Sequence, residues 1–177
     1  MTQSINQLFQ YDYFTLFSLD KRYAIDHKAL KQNYRQLLVQ FHPDRFADAS
    51  AQERRLAVQL TGYINTAYDT LNSPVDRALY LLKLHGDEVD LEHQTTNDVD
   101  FLTLQMTWRE KIESSQNDSQ ALQLIRQELE QEFERLQQYL TQLFDEAETV
   151  NTDTIKQYLV QLKYFDKLLK EIKSKSN

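Results

Sequence analysis

An all-α fold is what the sequence predicts: an antiparallel helix pair closed by a His-Pro-Asp turn, then a C-terminal three-helix bundle. Only two glycines and two prolines occur in 177 residues, far below average usage, which favours long helices over tight turns. Apolar residues recur at alternating spacings of three and four along most of the chain, the signature of amphipathic helices. An acidic, aperiodic stretch at 86–97 separates the helices into two groups.

Residues 1–10 are polar and read as a flexible N-terminus. Tyr11–Phe17 is short and aromatic, a helical turn or a strand by periodicity alone, with Phe14 and Phe17 as core residues. From Asp26 to Phe41 the residues Leu30, Tyr34, Leu37, Leu38 and Phe41 form one helical stripe. Asp26 is placed to cap it, with Ile25 stapled onto Leu30. Lys28, Lys31 and Arg35 make a basic edge beside that stripe. Pro43 ends the helix, because a residue preceding proline is pushed out of the helical region. A long helix over 51–71 follows, with Leu56, Leu60, Ile64, Ala67 and Leu71 facing the first stripe. Gly62 inside it costs about 1 kcal/mol relative to Ala, and close packing is the reason the sequence suggests.

Ser73-Pro74-Val75-Asp76 reads as the start of a further helix, ended at Gly86 by a left-handed cap. The first domain is then 11–85, the linker 86–97 and the bundle 98–173. Within the bundle, the helix at 98–114 turns Phe101, Leu104, Trp108 and Ile112 to the core. The helix at 119–147 uses Leu122, Ile125, Leu129, Leu136, Leu140, Leu143 and Ala147. The helix at 153–173 uses Ile155, Tyr158, Leu162, Phe165, Leu169 and Ile172. Short connections between three such faces make a bundle.

Hydrophobic residues are 41% and charged residues 27% of the chain, enough for a buried core. The net charge of −7 makes nucleic acid a poor partner, since phosphate binding needs a basic footprint. Without cysteine neither disulfides nor thiolate metal sites can form. Residues 1–20 hold no Lys or Arg, so a secretory or mitochondrial signal is not expected and a cytoplasmic location is. No apolar run is long enough to span a membrane. His27, His85 and His93 match no metal-ligand spacing and read as surface or cap residues.

One more feature lies in the helix at 98–114. Leu102 and Met106 fall about 100–140° from its core stripe, continued by Glu110 and flanked by Thr103 and Thr107. Exposed apolar residues rimmed by polar ones point to a protein-binding patch; burial of both against the first domain is the alternative.

A basic amphipathic helix ending in His42-Pro43-Asp44, followed by a second long helix, resembles the J-domain of DnaJ-type co-chaperones. Further segments resemble one branch of that group, the HscB family of iron–sulfur cluster assembly. They include Asp12-Tyr13-Phe14-Thr15-Leu16-Phe17, Ile64–Leu71, Arg77–Gly86, Phe101-Leu102 with Trp108-Arg109-Glu110, and Phe165-Asp166-Lys167-Leu168. The likeness covers about 11–172, and no glycine-rich or zinc-finger region follows the J-domain.

The resemblance implies a co-chaperone without catalysis or cofactor of its own. It implies that the J-domain stimulates ATP hydrolysis by a DnaK-like chaperone of HscA type. The bundle would hold the cluster scaffold, of IscU type, and deliver it. His42, Pro43, Asp44 and Arg45 would then meet the ATPase, Arg45 standing where Lys is usual, and Lys28, Lys31 and Arg35 would steer the encounter. Leu102, Thr103, Met106, Thr107, Glu110 and Tyr164 would form the scaffold patch. Thr103 replaces a larger apolar residue there, and Thr107 and Ser114 stand at positions that are acidic in some relatives. An enzyme would have to use His42 and Asp44 as an acid–base pair. Pro43 separates their side chains, and no nucleophilic cysteine or phosphate loop accompanies them. The remaining rivals are a general J-protein with another client and a helical interaction module without a chaperone partner.

Overall fold

Helix caps written in the sequence set most of the element boundaries. A computed structural model describes residues 2–91, 98–147 and 149–175. The order is α1 (Thr2–Leu8), α2 (Tyr13–Leu16), α3 (His27–Phe41), a 3-10 turn (Pro43–Phe46), α4 (Ala51–Asn72), α5 (Pro74–Leu84), α6 (Val99–Ser114), α7 (Ser119–Thr141), a π-helical turn (Gln142–Glu146) and α8 (Thr152–Lys175). No strand occurs among the described residues. The chain divides into two compact units, Met1–Leu81 and Leu82–Asn177.

In the first unit Asp12 caps α2 through Thr15 N–H, and Asp26 caps α3 by accepting from Lys28 and Ala29. Ser50 and Glu53 form a reciprocal capping box at the start of α4. These caps satisfy backbone donors that a helix cannot satisfy internally. α3 and α4 pack along one another, with Leu30, Leu60, Ile64, Ala67 and Leu71 fully buried. Phe14 and Phe17 join that core as expected. Tyr34 stacks on Tyr68 with ring centroids 4.0 Å apart, and its hydroxyl donates to Asn65.

Arg77 is the buried charge of this unit, 2% exposed. Its Nη1 donates to the carbonyl of Leu71 at 2.6 Å, in the last turn of α4, and its guanidinium lies over the Tyr23 ring. A cation at a helix C-terminus is favoured by the dipole and by the orphan carbonyls there. Arg77 therefore ties α5 to α4.

Several expectations are corrected here. Residues 1–10 are not simply flexible: 2–8 form α1, and Ile5 is 1% exposed. Ile5 buries because α1 packs on α4, a partner invisible to local periodicity. Ala57 is buried on α4 where Leu56 was expected; Leu56 is half-buried. Gly62 has no close neighbour, since a Cβ there would meet nothing within 4 Å. Its helix cost is thus uncompensated, and Gly62→Ala should stabilise the protein by about 0.5–1 kcal/mol. A higher urea midpoint at unchanged slope checks this.

In the second unit the end of α5 forms the expected cap. Gly86 has φ 95°, Gly86 N–H bonds Lys83 and Asp87 N–H bonds Leu82, which is a Schellman closure. His85 sits within that cap. His93 and the rest of 92–97, including most of the expected linker, lie outside the described residues.

Asp98 and Asp118 cap α6 and α7. The three helices bury Phe101, Trp108, Leu129, Leu140, Leu162 and Phe165 between them. Trp108 meets Phe165 edge-on at 6.0 Å, an arrangement aromatic rings favour.

Three details of the bundle differ from expectation. α7 ends at Thr141 and widens into the π-helical turn over Gln142–Glu146, leaving Ala147 exposed. On α8, Leu159 and Leu168 are buried in place of Tyr158 and Leu169. The buried face of α8 rotates because its length follows α7 while its C-terminal half also meets α6 through Tyr164 and Phe165. Leu104 is 39% exposed rather than core. It sits on the shoulder of α6, and the inward positions are Phe101, Trp108 and Ile112.

Candidate interaction surfaces

The His-Pro-Asp turn is held from both sides. Phe41 and Phe46 are each 7% exposed and anchor its two ends in the core. Pro43 occupies the first position of the 3-10 turn, where a missing N–H costs nothing. Arg45 N–H bonds His42 C=O at 3.0 Å and Ala47 N–H bonds Asp44 C=O at 3.3 Å. The side chains of His42 and Asp44 project outward, 55% and 90% exposed.

These two side chains are not separated by Pro43. His42 Nδ1 lies 3.5 Å from the Asp44 carboxylate and 3.3 Å from the Asp44 N–H, from which it accepts. One ring nitrogen cannot accept that proton and also donate to the carboxylate. As the cap of the turn Nδ1 is an acceptor, so the imidazole proton is assigned to Nε2. The turn presents an imidazole donor beside a carboxylate acceptor on an exposed, anchored tip.

Lys28, Lys31 and Arg35 are all exposed along one edge of α3. Arg45 folds back so that its Nη1 bonds Val39 C=O at 3.2 Å, capping the C-terminal end of α3 with positive charge. Arg35, Gln36, Val39, Gln40 and Arg45 surround an open depression of about 350 Å³. Val39, 67% exposed among these lining residues, was not singled out from the sequence. It lies off the core stripe, and that same signal drew attention to Leu102 and Met106.

On α6, Leu102 is 43% and Met106 64% exposed, so neither is a core residue. Val99, 71% exposed, extends the line they form and was also missed. Thr103 Oγ1 donates to Val99 C=O and Thr107 Oγ1 to Thr103 C=O. Hydroxyls satisfied in this way turn back onto the helix and leave their methyl groups outward. The patch is therefore more apolar than its two threonines suggest. Glu110 is exposed at the end of the line.

Tyr164 joins this surface from α8. Its hydroxyl donates to Gln105 C=O at 2.9 Å, and its ring meets Phe101 edge-on at 5.7 Å. Partial burial raises its pKa, against an opposing pull from Arg109. The phenol thus stays a neutral donor that locks α8 to the side of α6 bearing Leu102.

Family models match both units: a DnaJ domain over residues 12–80 and an HSCB C-terminal oligomerisation domain over 97–173. The co-chaperone protein HscB homolog of Neisseria meningitidis serogroup C (strain FAM18) is 42% identical over 164 residues, covering 92% of this chain and 97% of that protein. This chain belongs to the HscB family of co-chaperones. A homologue from Aeromonas hydrophila is 40% identical over 91% of this chain and 94% of its own. Among solved structures, chaperone HscB from Vibrio cholerae is similar with a TM-score of 0.80 and 33% identity, covering 93% of this chain and 96% of that one. Human co-chaperone HscB gives a TM-score of 0.85 at 28% identity over 94% and 82%. The HscB fold places a J-domain first and the family's helical bundle second. In this chain they carry the His-Pro-Asp turn and the exposed line on α6, respectively.

Proposed function

We propose that this HscB-family chain stimulates the ATPase of a DnaK-like chaperone of HscA type through its J-domain. On the C-terminal bundle it carries an IscU-type scaffold to that chaperone, supporting maturation of iron–sulfur proteins in the cytoplasm. One observation carries the reading: an exposed His-Pro-Asp turn anchored by Phe41 and Phe46 on one unit and an exposed apolar line on the other. His42, Pro43, Asp44 and Arg45 engage the ATPase. Leu102, Thr103, Met106, Thr107, Glu110 and Tyr164 hold the scaffold. The net charge of −7 argues against nucleic acid as a partner. Among the described residues no helix is long and apolar enough to cross a membrane.

Stimulation is then allosteric: the J-domain binds one state of the ATPase better than the other and shifts that equilibrium. Asp44 supplies the carboxylate for a partner arginine and His42 a polar contact beside it. Lys28, Lys31 and Arg35 act at longer range on the rate of encounter. Neutralising all three to glutamine is expected to slow productive association about tenfold at low salt and to flatten its salt dependence. Stopped-flow measurement of complex formation at two ionic strengths checks this.

The direct test is ATP hydrolysis by the organism's HscA-type chaperone with and without this protein and the scaffold. Stimulation amplified by the scaffold supports the proposal. Stimulation indifferent to the scaffold makes this a general J-protein, and no stimulation leaves a helical interaction module.

A further inference from the structure

The outer face of α8 carries two lysines that no ion pair holds among the described residues. Lys163 and Lys167 are exposed one turn apart and make no ion pair or hydrogen bond among the described residues. Their neighbours differ: Lys170 pairs with Asp166 at 2.5 Å, and Lys156 lies 3.6 Å from Asp153. Like charges at this spacing destabilise a helix, and no ion pair offsets either lysine among the described residues. Arg109 is different again, since it lies beside Glu113 and Glu171 at a small gap between α6 and α8.

Lys163 and Lys167 flank Tyr164 and Val160 around an open depression of about 430 Å³. That volume would suit a small ligand, but such sites bury most of their ligand's surface. A depression lined by one helix cannot do so, and an extended or helical protein segment fits it better. The hydrogen bond from Tyr164 to Gln105 makes this face continuous with the apolar line on α6. On a chain of net charge −7, acidic partners are repelled in general. Two free lysines beside an aromatic anchor form a local exception.

We infer that Lys163 and Lys167 extend the scaffold surface beyond Tyr164 and receive an acidic segment of the scaffold protein. The inference rests on the scaffold reading above and adds the charge of the segment that docks. Apolar anchors supply most of the affinity in such an interface, while the lysines set register and exclude partners with basic surfaces there.

The test is calorimetric titration of cluster-free scaffold into the full-length chain at salt concentrations on the order of 50 and 300 mM, which bracket strong and weak screening. Lys163→Glu with Lys167→Glu is expected to weaken binding about tenfold at the lower salt and to remove most of its salt dependence. Lys163→Gln with Lys167→Gln should fall between that variant and the unmodified chain. Circular dichroism checks that each variant folds. Unchanged affinity and salt dependence in the charge-reversed variant, while Leu102→Ala with Met106→Ala binds weakly, overturns this inference and leaves the scaffold reading intact. If the unmodified chain does not bind the scaffold, both fall together.

Discussion

His42→Gln should reduce stimulation of the chaperone ATPase to its basal level, a loss of at least about tenfold. The loss of one hydrogen bond to a charged group, about 1.5–3 kcal/mol, is enough for an effect of that size. The fold should survive, because the His42 side chain is 55% exposed and the turn is anchored by Phe41 and Phe46. Its only bond within the turn is the one accepted from Asp44 N–H at 3.3 Å, and a glutamine oxygen can replace that acceptor. The unfolding midpoint should therefore move little while stimulation collapses. Equal stimulation by both proteins would reduce the turn to a helix stop.

Replacing Leu102 and Met106 together with alanine should weaken scaffold binding about 30-fold or more. Central apolar anchors typically cost about 1–2 kcal/mol each on truncation, enough for that combined effect. Because both side chains are exposed, stability should change by no more than about 0.5 kcal/mol. Core leucines behave differently, losing about 2–5 kcal/mol when cut to alanine. Calorimetric binding and urea unfolding of the same variant separate the two cases. A large stability loss would place these residues in a packed core after all.

Local signals made much of this protein legible from its sequence. The caps at Asp26 and Gly86 depend on a few adjacent residues, and the stripes of α3 and α4 face a single partner. What the sequence hid depends on where a third element lies. Leu104 fits a helical stripe as well as its neighbours do, and only the placement of α7 and α8 leaves it on a shoulder. The buried face of α8 rotates because its partner changes along its length, so no fixed stripe describes it. Ile5 buries against α4 from a segment too short and polar to announce a helix.

The functional surfaces followed the same division. Leu102 and Met106 stood out because they violate a local pattern, and Val39 and Val99 could have been found by that rule. Lys163 and Lys167 could not: a lysine pair on a helix looks like any solvated face until its neighbours' ion pairs are known. The contact between His42 and Asp44 was equally hidden, since the 3-10 turn after Pro43 brings together side chains that an extended turn would hold apart.

The most direct test of the account is chaperone ATP hydrolysis measured while the scaffold is titrated in, using the unmodified chain, His42→Gln and the Leu102→Ala, Met106→Ala pair. Two separable surfaces predict two separable defects. His42→Gln should bind scaffold normally yet stimulate nothing at any scaffold concentration. The α6 pair should stimulate as the unmodified chain does without scaffold, and gain little when scaffold is added. If the α6 pair retains full amplification by the scaffold, the bundle surface described here does not deliver it.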